Sequence, residues 1–177
     1  MFSLEERELC IKIAKESIAM KLGIIKEITP CPQNRIFQEN FGLFVTINKN
    51  GHLRGCIGYI LPVKPLYESL IDLARTAAFK DNRFKPVIKD EFSEIQIEIS
   101  VLSQLFEIKD IDEINVGRDG LFIQHPKGSG LLLPQVATKY NWNKEEFLRE
   151  TCYKAGLHES ILSDKNIKLF RFEAEIF

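Results

Sequence analysis

The chain of 177 residues carries 24 Lys+Arg against 25 Asp+Glu, a formal net charge of −1. That length suits one globular domain, or two small lobes sharing a core. With 45% hydrophobic and 28% charged residues, generic disorder and collagen-like repetition are excluded. The near-neutral balance gives no global electrostatic case for nucleic acid, although it leaves room for a local basic patch.

Apolar runs are as short as Leu131-Leu132-Leu133, so no segment is expected to span a membrane. The acidic start, MFSLEEREL, lacks the basic-then-apolar layout of a secretory signal. A cytoplasmic domain is the expectation. Cys10, Cys31, Cys56 and Cys152 form no C-x-x-C pair, and His52, His125 and His158 are scattered, so no metal site is predicted. Free thiols are expected in that compartment.

Ser3 and Glu6 have the spacing of a capping box, and predict a helix with Leu4, Ile11, Ala14, Ile18 and Leu22 on one stripe, ending at Gly23. Pro30-Cys31-Pro32 marks a loop or extended link. Strands over Phe41–Ile47 and His52–Ile60 flank Asn50-Gly51, the dipeptide favoured in two-residue type I′ turns. This turn would set Lys49 opposite His52, Ile47 opposite Arg54 and Val45 opposite Cys56. Pro65 suits the first position of a second helix, whose buried face is Leu66, Leu70, Leu73, Ala74, Ala77 and Ala78. Asp81-Asn82-Arg83-Phe84-Lys85-Pro86 ends it in a loop.

Ile95, Ile97, Ile99 and Val101 alternate with Gln96, Glu98 and Ser100, the signature of a strand. Gly120–Gln124 and Leu131–Leu133 predict a further pair, with Gly128-Ser129-Gly130 at a flexible hairpin tip. A short helix follows Pro134. Another begins at Asn143, capped with Glu146, and stops near Ala155-Gly156. Lys168–Phe177 closes the chain as a strand. The fold class is α+β: antiparallel or mixed sheets with flanking helices, and no lobe boundary visible in composition.

Leu53-Arg54-Gly55-Cys56-Ile57-Gly58 is the most unusual hexapeptide. Two glycines within a strand signal a bulge, or close approach by a ligand or another segment. Alternation sets Arg54 and Cys56 on one face, about 7 Å apart, where a guanidinium favours a reactive thiolate. The alternative reading is a buried, inert Cys beside a structural Arg. Asp81 and Arg83 suit a polar clamp for a carboxylate or phosphate, or else a pair tying the loop to the helix end. Glu98 and Ser100 share the strand face opposite the isoleucines. Glu98 is a general-base candidate if buried beside Arg54 or Arg83, and a solvated residue otherwise. Gln135 offers hydrogen bonds at the mouth of a short helix, and Lys154 sits at the negative end of the Asn143 helix. No P-loop, G-x-S-x-G, H-E-x-x-H or G-x-G-x-x-G motif occurs. No cofactor is evident.

Gly42-Leu43-Phe44-Val45-Thr46, Leu53–Gly58, Asp81-Asn82-Arg83-Phe84, Ile99-Ser100-Val101-Leu102-Ser103, Gly120-Leu121, Leu132-Leu133-Pro134-Gln135-Val136-Ala137 and Cys152-Tyr153-Lys154-Ala155-Gly156-Leu157 occur in that order. Over nearly its whole length the chain resembles the AMMECR family, the A component of the AmmeMemoRadiSam system. The resemblance implies an α+β domain with a larger and a smaller lobe and the Arg-Gly-Cys-Ile-Gly signature near a cleft between them. It also implies Memo-like and radical S-adenosylmethionine proteins as partners. Asn82 departs from the proline relatives often carry, and His158-Glu159-Ser160-Ile161 lacks a tryptophan common nearby. The resemblance brings no particular reaction with it.

Two functions compete on these residues. In the first, Cys56 is a nucleophile in a modification pathway, Glu98 or Asp81 handles protons, and Arg54, Gly55, Arg83, Ser100, Gln135 and Lys154 line the ligand site. In the second, the chain is a non-catalytic binding module or scaffold presenting a nucleotide, peptide or partner protein. A further expectation is geometric. The Arg54–Cys56 and Ile95–Val101 strands should lie in one sheet, or on facing walls of one cleft, with Arg54 offsetting Glu98.

Overall fold

In the computed structural model, which describes residues 1–177, helix α1 (Leu4–Lys21) begins at its capping box. The Ser3 hydroxyl accepts the Glu6 N–H at 3.2 Å, and the Glu6 carboxylate accepts the Ser3 N–H at 2.7 Å. The buried stripe is Cys10, Ile13, Ala14, Ser17, Ile18 and Ala19. Leu4, expected on that stripe, is instead 72% exposed, because at about 3.6 residues per turn it lies well round the helix from Cys10, Ile13 and Ser17. Gly23, at φ +68°, ends the helix as expected.

Contacts divide the chain into two units, Met1–Val101 with Glu175–Phe177, and Leu102–Ala174. In the first, strands β1 (Gly42–Lys49), β2 (His52–Tyr59) and β3 (Ile95–Leu102) stand in the order β2-β1-β3, so the two strands expected in one sheet do share it. Helix α2 (Leu66–Phe79) follows Pro65, which is its N-cap, and buries the six apolar positions read from spacing, together with Ser69. Leu43, Val45 and Ile47 of β1 and Ile95 and Ile99 of β3 join those residues and α1 in one core. The last residues of the chain complete this unit. The Ile99 N–H donates to the Phe177 carbonyl at 2.7 Å, and the Phe177 N–H donates back to Ile99 at 3.1 Å.

Asn50 (φ +51°) and Gly51 (φ +77°) make the turn between β1 and β2, both in the left-handed region a type I′ turn requires. Lys49 pairs with His52 as expected, but the register then shifts between Ile47 and Asn48. Beyond it Ile47 faces Gly55, Thr46 faces Cys56 and Val45 faces Ile57. The expected pairings of Ile47 with Arg54 and Val45 with Cys56 are therefore one residue out. Arg54 is the extra residue of a β-bulge, which lengthens one strand by a single position.

In the second unit, β4 (Phe106–Ile108) and β5 (Asp119–His125) both pair antiparallel with β7 (Lys168–Ile176), and β5 pairs antiparallel with β6 (Gly128–Leu132). Helix α3 (Pro134–Lys139) has Pro in its first turn, and α4 (Lys144–Lys154) opens on the Asn143/Glu146 capping box. The Gly128-Ser129-Gly130 segment is not a flexible tip. It lies in β6, and a methyl on Gly128 would come within 2.3 Å of the Ala155 carbonyl oxygen, one on Gly130 within 2.5 Å of the Ala155 nitrogen. These glycines let β6 pass flush against the end of α4. The fold is α+β with antiparallel pairing, and no helix is long and apolar enough to cross a membrane.

Candidate functional site

Strand β2 ends the order β2-β1-β3, so one side of its backbone has no neighbouring strand. Such an edge leaves N–H and C=O groups to be satisfied some other way. At Cys56 the loop after α2 does this with side chains. The Cys56 N–H donates to Asp81 Oδ2 at 2.9 Å, and Arg83 Nη2 donates to the Cys56 carbonyl at 3.1 Å. Asp81 and Arg83 grip each other as well, with Nε 2.9 Å from Oδ1 and Nη2 2.6 Å from Oδ2. The Arg83 N–H adds a further bond to Oδ1 at 3.2 Å. One ion pair thus caps the edge strand at a single residue.

The electrostatics follow from this geometry. Asp81 is almost wholly enclosed, its side chain 2% exposed, while the Arg83 side chain is 49% exposed. The Arg83 guanidinium, against the opposing effect of burial and with help from the Cys56 and Arg83 N–H groups, holds the Asp81 carboxyl far below the usual carboxylate range. The hydrogen-bonded Asp81 in turn raises Arg83, and the negative form of the Cys56 thiol acts on it in the same direction. The cation beside Cys56 is therefore Arg83.

The Cys56 side chain is half-buried, and the Thr46 hydroxyl across the β1–β2 pair donates to its sulfur at 3.3 Å. Neighbouring Gly55 faces the other way, toward α2. A methyl there would lie 2.3 Å from the Ala77 carbonyl oxygen, so strand and helix backbones meet directly. Its close approach is to a helix of the same unit rather than to a ligand.

Arg54 does not take up the thiol or Glu98. Its Nε reaches Glu91 Oε2 at 3.2 Å and its Nη2 reaches Glu91 Oε1 at 2.7 Å, with a further bond from Nη2 to the Pro86 carbonyl at 3.3 Å. The expected Arg54–Glu98 pair is thus replaced by Arg54–Glu91. Glu91 sits in the short 3-10 segment Lys89–Glu94, where the chain turns back beside the β-bulge. Arg54, then burial in opposition, then the Ile88 N–H and Lys49 set the Glu91 carboxyl at about 2. Lys49 also spans Glu91 and Glu94, and the network walls a pocket of about 310 Å³ edged by Lys85, Pro86 and Ile88.

Glu98 and Ser100 project from the face of β3 opposite its buried isoleucines, and Thr46 and Cys56 project from the corresponding face of β1 and β2. Ser100 is fully buried and its hydroxyl has no hydrogen-bond partner. Strand β1 intervenes between Cys56 and β3, a lateral separation of roughly 10 Å, so Glu98 shares the thiol's face without adjoining it. Gln135 and Lys154 belong to the second unit. Gln135 stands in the first turn of α3 with its Oε1 buried and unpartnered, and Lys154 ends α4 exposed to solvent.

Thr46 and Glu91 were not anticipated as members of this constellation. Thr46 would have been reached had the bulge been placed, since the shift by one residue sets it opposite Cys56. Glu91 had no local signal. In the second unit Asp119, fully buried and held by Arg118 at 2.7 and 2.9 Å, was also missed. Burial alone would raise its carboxyl, yet Arg118 and the Asn115 N–H hold it low.

Comparison with known proteins gives a consistent result. A protein of Methanothermobacter thermautotrophicus is 42% identical over 182 residues, spanning 99% of this chain and 95% of its own length. One from Thermococcus kodakarensis is 46% identical over 182 residues, spanning 96% of this chain and 88% of its own. The crystal structure of an uncharacterized protein from Pyrococcus horikoshii superposes with a TM-score of 0.87 at 37% identity, covering 96% of this chain and 89% of that one. The AMMECR1 family profile matches residues 11–177, and the chain belongs to the AMMECR1 family.

Proposed function

We propose that the chain is a cysteine-centred component of a modification pathway shared with Memo-like and radical S-adenosylmethionine proteins, receiving a substrate or carrier against the Thr46–Cys56 face and offering it the Cys56 thiol. The pathway association rests on the family resemblance. The observation that carries the role of the thiol is the double grip on its backbone. Asp81 and Arg83 fix the N–H and the C=O of this one residue, and Thr46 orients its sulfur. Side chains recruited to immobilise a half-exposed cysteine fit a group whose position matters to chemistry. In this arrangement Asp81 and Arg83 are positioning residues, and Arg54 secures the bulge through Glu91.

One observation favours a second reading. The sulfur's hydrogen-bond partner is a hydroxyl rather than a histidine or carboxylate base. On that ground the face is a binding platform, and Cys56 a contact within it. Replacing the chromosomal copy by Cys56→Ser separates the two. Serine keeps the size and the hydrogen bond but not the nucleophilicity. The first reading expects the metabolite and modified-macromolecule profile of a deletion strain. A profile like that of the parent strain would remove the thiol chemistry and leave the binding platform.

A further inference from the structure

Building on the reading of Cys56 as a working thiol, we infer that Arg83 supplies the anion-binding half of the same site. The molecule brought to Cys56 then carries a carboxylate or phosphate a few bonds from the atom that the sulfur meets.

The argument starts from the five N–H donors of a guanidinium. Three of them are taken: Nε by Asp81 Oδ1 at 2.9 Å, and Nη2 by Asp81 Oδ2 at 2.6 Å and by the Cys56 carbonyl at 3.1 Å. Nη1 takes no part in these bonds, and half of the side chain faces solvent. The carboxylate partner offsets part of the charge but does not cover that outer end. Asp81 is enclosed, and both its oxygens are taken by Arg83 and by backbone N–H groups. The pair is therefore a fixed dipole with its positive end at the surface. The Phe84 ring, its centroid 5.5 Å from the guanidinium carbon, lies alongside.

Its bond to the Cys56 carbonyl ties this cation to the residue that bears the thiol. The two N–H groups of Nη1, on a guanidinium already held in place, are free to donate to carboxylate or phosphate oxygens. Arg54 offers no equivalent, since its side chain is 16% exposed and doubly bonded to Glu91. Placed here, Arg83 selects among thiol-reactive molecules by charge, a role that fixing a backbone does not require.

Two alkylating reagents of nearly equal size read this selection directly. With iodoacetate or iodoacetamide the sulfur attacks the CH₂ carbon. A C–S bond forms, the C–I pair leaves as iodide, and the thiol proton passes to solvent. The probe differs only in carrying a carboxylate or a neutral amide. Site-resolved mass spectrometry gives the iodoacetate-to-iodoacetamide rate ratio at Cys56 and at exposed Cys31 of the same folded protein.

The inference expects the ratio at Cys56 to exceed that at Cys31 by roughly fivefold, the effect of one surface charge contact. Added inorganic phosphate at constant ionic strength should reduce the excess. Arg83→Gln should abolish it, and Arg83→Lys should retain part of it. Equal ratios at the two cysteines, unmoved by phosphate, would overturn the anion site and leave the thiol reading intact. No alkylation of Cys56 by either reagent while Cys31 reacts would overturn the thiol reading and this inference with it. Should Arg83→Gln fail to fold by circular dichroism, the phosphate competition in the unaltered protein decides.

Discussion

Arg54 and Glu91 meet edge to edge, Nε to Oε2 at 3.2 Å and Nη2 to Oε1 at 2.7 Å, with their side chains 16% and 11% exposed. Lysine retains the charge but has no second donor in the plane of the carboxylate. Arg54→Lys is therefore expected to fold with reduced stability, by about 1–3 kcal/mol, the usual cost of leaving buried polar groups imperfectly satisfied. A urea midpoint equal to that of the unaltered protein would mean that Glu91 does not need the fork.

The same pair makes stability depend on pH. The Glu91 carboxyl lies at about 2 and that of Asp81 is also depressed, chiefly by Arg54 and Arg83 respectively. Groups depressed by folding contribute fully above their unfolded pKa of about 4. That contribution is lost as pH falls through the interval between unfolded and folded values. The urea midpoint should hold from pH 7 to about 5 and then fall toward pH 2, with Glu91 alone accounting for on the order of 2–3 kcal/mol. Glu91→Gln should be less stable at pH 7 and show a shallower acid slope. An equal slope in the variant would place the acid sensitivity elsewhere.

Gly55→Ala tests the contact between strand and helix. Its added methyl would stand 2.3 Å from the Ala77 carbonyl oxygen, an atom held within α2. Overpacking against backbone typically costs about 1–3 kcal/mol and sometimes more, so a melting temperature lowered by several degrees is expected. A variant as stable as the parent would show that α2 can retreat from β2 without loss.

Much of the architecture is written in local patterns. The Ser3/Glu6 and Asn143/Glu146 boxes, the Asn50-Gly51 turn and the alternation of Ile95 to Val101 all place elements where the structure has them. These signals involve residues three or four apart, or a fixed period, and need no tertiary partner. The errors have a common origin in longer-range contacts. The bulge at Arg54 shifts the pairing of β1 and β2 by one, and the partner that holds its extra residue is Glu91, 37 residues away. Gly128 and Gly130 look like flexible-loop residues because the backbone they accommodate, at Ala155, is distant in sequence. At the site, the structure brings Cys56, Asp81 and Arg83 together, yet their bonds run through the Cys56 backbone, which no side-chain pattern reports. Arg83 keeps the Asp81 pairing expected of it and is also the cation beside Cys56, the place expected of Arg54, which pairs with Glu91 instead.

Residue-resolved amide hydrogen exchange at Cys56 tests most directly whether Asp81 and Arg83 hold the edge strand at the thiol. An N–H on an unpaired strand edge exchanges rapidly, whereas one bonded to an enclosed carboxylate opens only when that bond breaks. The Cys56 amide should be protected in the unaltered protein. Asp81→Ala should remove that protection and leave the core amides of Val45 and Ile99 slow. Rapid exchange at Cys56 in the unaltered protein, with those core amides still protected, would contradict the grip on Cys56 and the function built upon it.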